Sequence, residues 1–150
     1  MGYLSSTPNL VAGGNGPGSL STQLYYPTGL AFDASSNSLY ILNQYGHTVV
    51  RWILGASTWT AVAGSPGAAG YTPFLLSYPI GFTFDYMGNL YVVDNGNHRI
   101  QLFLSGTVNG TTIAGVTGVG GNAPHLLNSP YDVALDSDLN LYVADFNNHR

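Results

Sequence analysis

The stretch that decides the fold is Leu90-Tyr91-Val92-Val93-Asp94-Asn95-Gly96-Asn97-His98-Arg99-Ile100-Gln101-Leu102-Phe103. Its first four residues are a continuous apolar run, the pattern of a short strand covered on both faces. Asp, Asn and Gly then punctuate a tight turn. From Arg99 onward polar and apolar residues alternate, which predicts a further strand nearer solvent. Closely similar stretches occupy residues 39–48 and 141–150. His47, His98 and His149 stand 51 residues apart, as do Tyr40, Tyr91 and Tyr142. The Ala-Gly pairs beginning at Ala12, Ala63 and Ala114 keep that step. Pro27, Pro79 and Pro130, and Asp33, Asp85 and Asp136, keep it with a slip of one residue in the first copy.

Each repeat reads as four short strands. The first covers residues 29–33, 81–85 and 132–136, and a turn rich in Asn, Ser and Gly follows it. The second covers 39–42, 90–93 and 141–144, and the third is exemplified by 99–103. The fourth is expected at 8–12, 59–63 and 111–114. A small sheet with two apolar faces must stack on copies of itself. A period of roughly 40–50 residues with four strands marks a β-propeller blade. The expectation is therefore all-β, with blades of four antiparallel strands. Residues 1–150 form a single partial propeller of about three blades, with repeats near 1–52, 53–103 and 104–150 and the last blade incomplete.

Composition narrows the chemistry. Apolar residues make up 45% of the 150 residues and charged residues 7%, against about 25% in an ordinary soluble domain. Seven Asp and three Arg are the only charged side chains, giving a net charge of −4. Few strong helix formers and few charges argue against helical bundles and coiled coils. Without Cys there are no disulfides, thiolate zinc sites or cysteine nucleophiles. Without Lys there is neither a Walker loop nor a Schiff-base lysine. No Gly-x-Ser-x-Gly elbow occurs, and a glycosidase pair would have to come from Asp136 and Asp138 in one turn. Three Arg and a negative net charge make this segment a poor RNA binder. No apolar run approaches the ~18 residues of a membrane span. The opening Met-Gly-Tyr-Leu-Ser-Ser lacks the regions of a signal peptide and matches the myristoylation pattern only loosely, at Gly2. The scarcity of Lys, Glu and Cys leans towards an extracellular setting, and Asn109-Gly110-Thr111 is an acceptor for N-glycosylation.

Asn97-His98-Arg99-Ile100 and Asn148-His149-Arg150 resemble the motif that names the NHL repeat family. The wider pattern of Pro, strand, Asp, turn, Leu-Tyr-Val-x-Asp and Asn-His-Arg covers most of the chain in three copies. The first copy departs from it with Asn43 for Asp and Gly46-His47-Thr48 for Asn-His-Arg. The resemblance implies a β-propeller, commonly six-bladed, acting mostly as a protein- or RNA-binding module. Such modules occur beside RING-type ubiquitin ligases, in bacterial receptor kinases and in extracellular proteins. A minority, such as peptide-amidating lyases, are metal-dependent enzymes. About three blades do not close a ring, so the chain reads either as a piece of a longer propeller or as half of a six-bladed ring closed by a homodimer.

Antiparallel alternation places the loops before each first strand on one face with the loops after each second strand. Residues there differ between copies, and a protein partner is expected to meet Tyr45, Asn97, Tyr131, Asp132, Phe146 and Asn147. Asp94 with His98 and Arg99, and Asp145 with His149 and Arg150, read as structural loop pairs, because Asn43 and Thr48 lose both charges together. Equivalent histidines in separate blades do not converge, so they are expected to hydrogen-bond backbone or the neighbouring Asp rather than a metal. Asp33, Asp85 and Asp136 are expected to cap turns, with a calcium ion in the central channel as the alternative. The main reading is a non-catalytic binding module that needs no cofactor. The alternatives are a fragment of a metal-dependent lyase or lactonase, and a purely architectural repeat.

Overall fold

The computed structural model describes residues 9–150. The first blade contains β1 (Pro27–Asp33), β2 (Ser38–Asn43), β3 (Thr48–Ile53) and β4 (Thr60–Gly64). The second contains β5 (Gly81–Phe84), β6 (Leu90–Asp94), β7 (Arg99–Phe103) and β8 (Gly110–Gly115). The third contains β9 (Asp132–Leu135) and β10 (Leu141–Ala144). Strands pair antiparallel in sequence order within each blade, and the sheets do not close on one another. This is a partial β-propeller. Among the described residues no helix is long and apolar enough to cross a membrane.

The cores lie between blades, not within them. Leu42, Val49 and Ala63 of blade 1 meet Leu90, Val92 and Phe103 of blade 2, with Leu76 from the connecting loop inserted among them. Val93 and Ile100 on the other face of blade 2 meet Val133 of blade 3, again with a loop leucine, Leu127. On the far face of blade 1, Ile41, Val50, Trp52 and Trp59 are covered by Ala12 and Leu24. Trp59 Nε1 also donates to the Gln23 carbonyl at 2.7 Å. Each inserted leucine sits in a parallel bridge, Pro17 with Leu24, Ala69 with Leu76 and Gly120 with Leu127. Burying one such side chain contributes about 1.5–3 kcal/mol. Every residue of β6 is buried, because it has a strand on each side and a blade on each face.

Two strand expectations need correction. β7 is not near solvent: Arg99, Ile100, Gln101 and Phe103 are all buried. Its polar face looks onto loop 71–75, whose carbonyls supply what water would have supplied to Arg99. The Gln101 amide is fully buried without a hydrogen-bond partner among the described residues. The fourth strand expected at 8–12 lies partly outside the described residues, and residues 9–12 form no strand. A fourth strand needs the third strand of its own blade beside it, and none precedes these residues among those described.

The turns between the first two strands of each blade are capped by aspartate. Asp85 Oδ1 accepts the N–H groups of Met87 and Asn89 at 2.9 Å each, and its Oδ2 accepts Asn89 Nδ2 at 2.8 Å. Asp136 does the same with Asp138 and Asn140. Asp33 accepts from Ser35 and Ser36, whose hydroxyls hold its carboxyl down at about 2.

The repeated Ala-Gly pair has a steric cause. Gly64 and Gly115 close the fourth strands at φ 78° and 79°, where glycine alone is unstrained. A Cβ at these positions would lie 2.1 Å from the His47 carbonyl oxygen and 2.2 Å from that of His98. Gly115→Ala is expected to destabilise the chain by roughly 2–4 kcal/mol in urea titration. Gly118→Ala, also at positive φ but in open space, is expected to cost only about 1 kcal/mol.

Candidate functional site

At the end of each second strand a single 3-10 turn hands the chain to the third strand, and its last polar groups fix the loop face. In blade 2, Asp94 Oδ1 accepts the Ser77 N–H at 2.6 Å, while Oδ2 accepts Asn97 Nδ2 at 2.8 Å and Arg99 Nε at 2.7 Å. Both side chains of this ion pair are almost fully buried. The other guanidinium nitrogens of Arg99 donate to the carbonyls of Tyr71, Thr72 and Leu75 at 3.0–3.1 Å. Blade 3 repeats the arrangement: Asp145 accepts from the Asn128 N–H, Asn148 Nδ2 and Arg150 Nε at 2.7, 2.7 and 2.9 Å. Burial pushes the Asp94 carboxyl up against the pull of these donors. At the more open Asp145, burial also pushes upward, but the same kinds of donor outweigh it and hold the carboxyl below its usual range.

Blade 1 uses a neutral version. Asn43 Oδ1 accepts the Tyr25 N–H, and Asn43 Nδ2 donates to Thr48 Oγ1 at 3.5 Å. Gly46 leaves room for that amide, since a Cβ there would lie 2.1 Å from Asn43 Nδ2.

The histidines reach forward, not sideways. His47 Nδ1 accepts the Tyr78 N–H at 3.2 Å, and His98 Nδ1 accepts the Ser129 N–H at 3.0 Å. Their partner is the backbone of the following blade and not Asp94. Two successive N–H groups, Ser77 and Tyr78, are thus held by two different blades, and Pro79 follows with no N–H to satisfy. Tyr26, Tyr78 and Ser129, each preceding a proline, all have positive φ, at 58°, 46° and 50°. Burial lowers the pKa of His47, which favours the neutral ring that an accepting Nδ1 requires.

Above this frame lies an aromatic surface. The Tyr45 ring packs against Tyr25, Tyr26 and Tyr78 at 5.4, 5.0 and 5.4 Å between centroids. All four rings remain at least 42% exposed. A second pair, Tyr131 and Phe146, meets at 5.6 Å, with both residues exposed. Asn147 is exposed and tied to Asn128 through its own N–H at 3.1 Å. Asp132 is exposed, and its Oδ1 accepts only the adjacent Val133 N–H, at 2.9 Å. Asn97 differs from the other five candidates. It is buried, and its Nδ2 is consumed by Asp94 and the Gly70 carbonyl, so it offers no exposed contact surface. Tyr25, Tyr26 and Tyr78 escaped the sequence reading. The available signal was a tyrosine directly before Pro27 and Pro79.

Between the innermost strands is a cavity of about 760 Å³ whose lining includes Tyr26, Leu30, Gln44, Phe82, Tyr131 and Asp132. Among the described residues no three His, Cys, Asp or Glu side chains gather as metal ligands.

The model of the NHL repeat matches residues 76–103 and 127–150, which carry the two copies with the Asp–Arg pair. NHL repeat-containing protein 2 of Bos taurus is 38% identical over 89 residues, covering 50% of this chain and 11% of that protein. Two segments of this chain, residues 76–103 and 127–150, are thus NHL repeats. Crystal structures of auxiliary nutrient binding proteins from Bacteroides thetaiotaomicron and Bacteroides ovatus share its fold, each with a TM-score of 0.65. They are 21% and 19% identical, and the alignments cover 81% of this chain and 35% of each of theirs. The chain therefore spans about a third of these structures and about a tenth of the bovine relative.

Arg99→Met leaves the buried Asp94 carboxylate without its cation and is expected to lower stability by about 3–5 kcal/mol by urea titration. The histidine contribution has a defined sign. The folded-state pKa of His47 lies below the ordinary 6.5, so its stabilisation is complete above that pH and is lost as pH falls through the lowered value. His47→Asn tolerates the left-handed backbone but removes the ring acceptor. It is expected to cost about 1 kcal/mol near neutral pH, and the difference from the parent shrinks in titrations at lower pH.

Proposed function

We propose that this chain is the binding portion of an NHL propeller whose loop face docks a protein partner without catalysis. One observation supports the reading: three tyrosines, Tyr25, Tyr26 and Tyr78, pack around Tyr45, and all four stay exposed on the loop face. Tyrosine brings large area at little entropic cost and is enriched where proteins bind one another. A contiguous exposed aromatic patch of this kind marks an interaction surface, whereas isolated exposed rings such as Tyr86 at the opposite end are ordinary. The loops beneath the patch are already held by hydrogen bonds to Asn43 and His47, which reduces the ordering required on docking.

The test is quantitative affinity capture with the chain as bait. Tyr26→Ala with Tyr45→Ala is expected to reduce capture of specific partners by more than about tenfold, as for interface hot spots. Tyr86→Ala is expected to leave capture unchanged. If the double variant retains every partner, the loop face is architectural and the proposal fails.

A further inference from the structure

We infer that the loop face reads a basic segment of its protein partner, seating a lysine or arginine side chain against Asp132 at the mouth of the central cavity. This rests on the loop face being a docking surface and adds the chemistry of what docks.

The charges lead to it. Asp94 and Asp145 are matched by Arg99 and Arg150. Asp33, Asp85 and Asp136 are committed to turns at the opposite end. Asp132 alone, among the described carboxylates of the loop face, has neither a cation nor a side-chain donor, and its one hydrogen bond is from the N–H of Val133. The fold does not require it. The same position holds Gly29 in blade 1 and Gly81 in blade 2. Gly81 in turn leaves room for it, because a Cβ there would lie 3.0 Å from Asp132 Oδ1.

The surroundings suit a cation. Tyr131, tilted against Phe146, flanks the carboxylate, and Tyr26 and Gln44 also line the cavity. Aromatic faces attract ammonium and guanidinium groups. The cavity lining contains no Lys, Arg or His, so an anionic group entering it would meet only the negative charge of Asp132. A cavity of about 760 Å³ has the volume for a side chain carried on a peptide, and a charge-assisted contact to a carboxylate gives such a chain its anchor.

The experiment titrates the full chain with three fluorescein-labelled dodecapeptides, alternating Gly with Arg, Gln or Glu, read by fluorescence anisotropy at physiological salt. Only the Arg peptide is expected to bind. Asp132→Asn and Asp132→Gly, the latter restoring the residue of the other two blades, are each expected to weaken it about tenfold. Asp138→Asn, which removes the same charge from a turn at the opposite end, is expected to change it less than twofold. Equal losses for Asp132→Asn and Asp138→Asn would show diffuse attraction to an acidic chain and overturn the assignment. Equal binding of the Gln and Arg peptides, lost on Tyr26→Ala with Tyr45→Ala, would overturn the basic-segment inference while leaving the docking face standing. If neither those tyrosine substitutions nor Asp132→Asn alters binding of any peptide or captured partner, both fail.

Discussion

Each junction between blades turns on two adjacent backbone N–H groups that are held from two directions. Ser77 is bound by Asp94 of its own blade and Tyr78 by His47 of the blade before; Asn128 and Ser129 are bound likewise by Asp145 and His98. A buried N–H left unpaired costs about 1–3 kcal/mol, so the dipeptide cannot shift without breaking a contact to one blade or the other. Proline next in line has no N–H to place and fixes its own φ. The positive φ of Tyr78 and Ser129 is strain that this clamp sustains. Blade spacing thus follows from local hydrogen bonds, and the inter-blade leucines then fill a gap of defined width.

The ion pair beneath the clamp is one of two chemical solutions to the same problem. Something at the end of the second strand must accept a backbone N–H while being buried. A carboxylate does so strongly but brings a charge into the interior, which the fold answers with Arg99 and Asn97, and the guanidinium in turn draws loop carbonyls 71–75 onto the blade. An amide does so without charge: Asn43 supplies both acceptor and donor, and Gly46 replaces the second amide that is no longer needed. The three positions differ between copies as a set because each set balances its own electrostatics.

The repeat, the strands and the turn aspartates were legible because they depend on period, apolar runs and residues a few positions apart. Asp85 capping its own turn is such a local fact. The histidine partner was not legible, since it is a backbone amide 31 residues away whose side chain carries no mark of the contact. Asn97 was misread as variable surface because its neighbours vary. Its true signature was the recurrence of Asn at 148 in the other copy with Asp and Arg, and Gly at 46 in the copy with neither. The third strand was misjudged because alternation reveals that one face is polar but not that a loop covers it. The tyrosine cluster assembles from three separate segments, 25–26, 45 and 78, which only the folded loops bring together.

The two ends of the blades divide their duties accordingly. At the turn end, Asp33, Asp85 and Asp136 each cap a turn, so chemistry there is fixed by the backbone it must satisfy. At the loop end the backbone is already satisfied by Asp or Asn and by His, which frees the neighbouring side chains from structural work. Positions 78 and 129 carry Tyr and Ser, each with its N–H held by a histidine, and the position of Asp132 carries Gly in the other blades. A surface can be specialised for a partner only where substitution leaves the frame intact. In this chain that condition is met above the clamp, which is where the exposed tyrosine cluster around Tyr45 and the one unneutralised carboxylate of the described loop face are found.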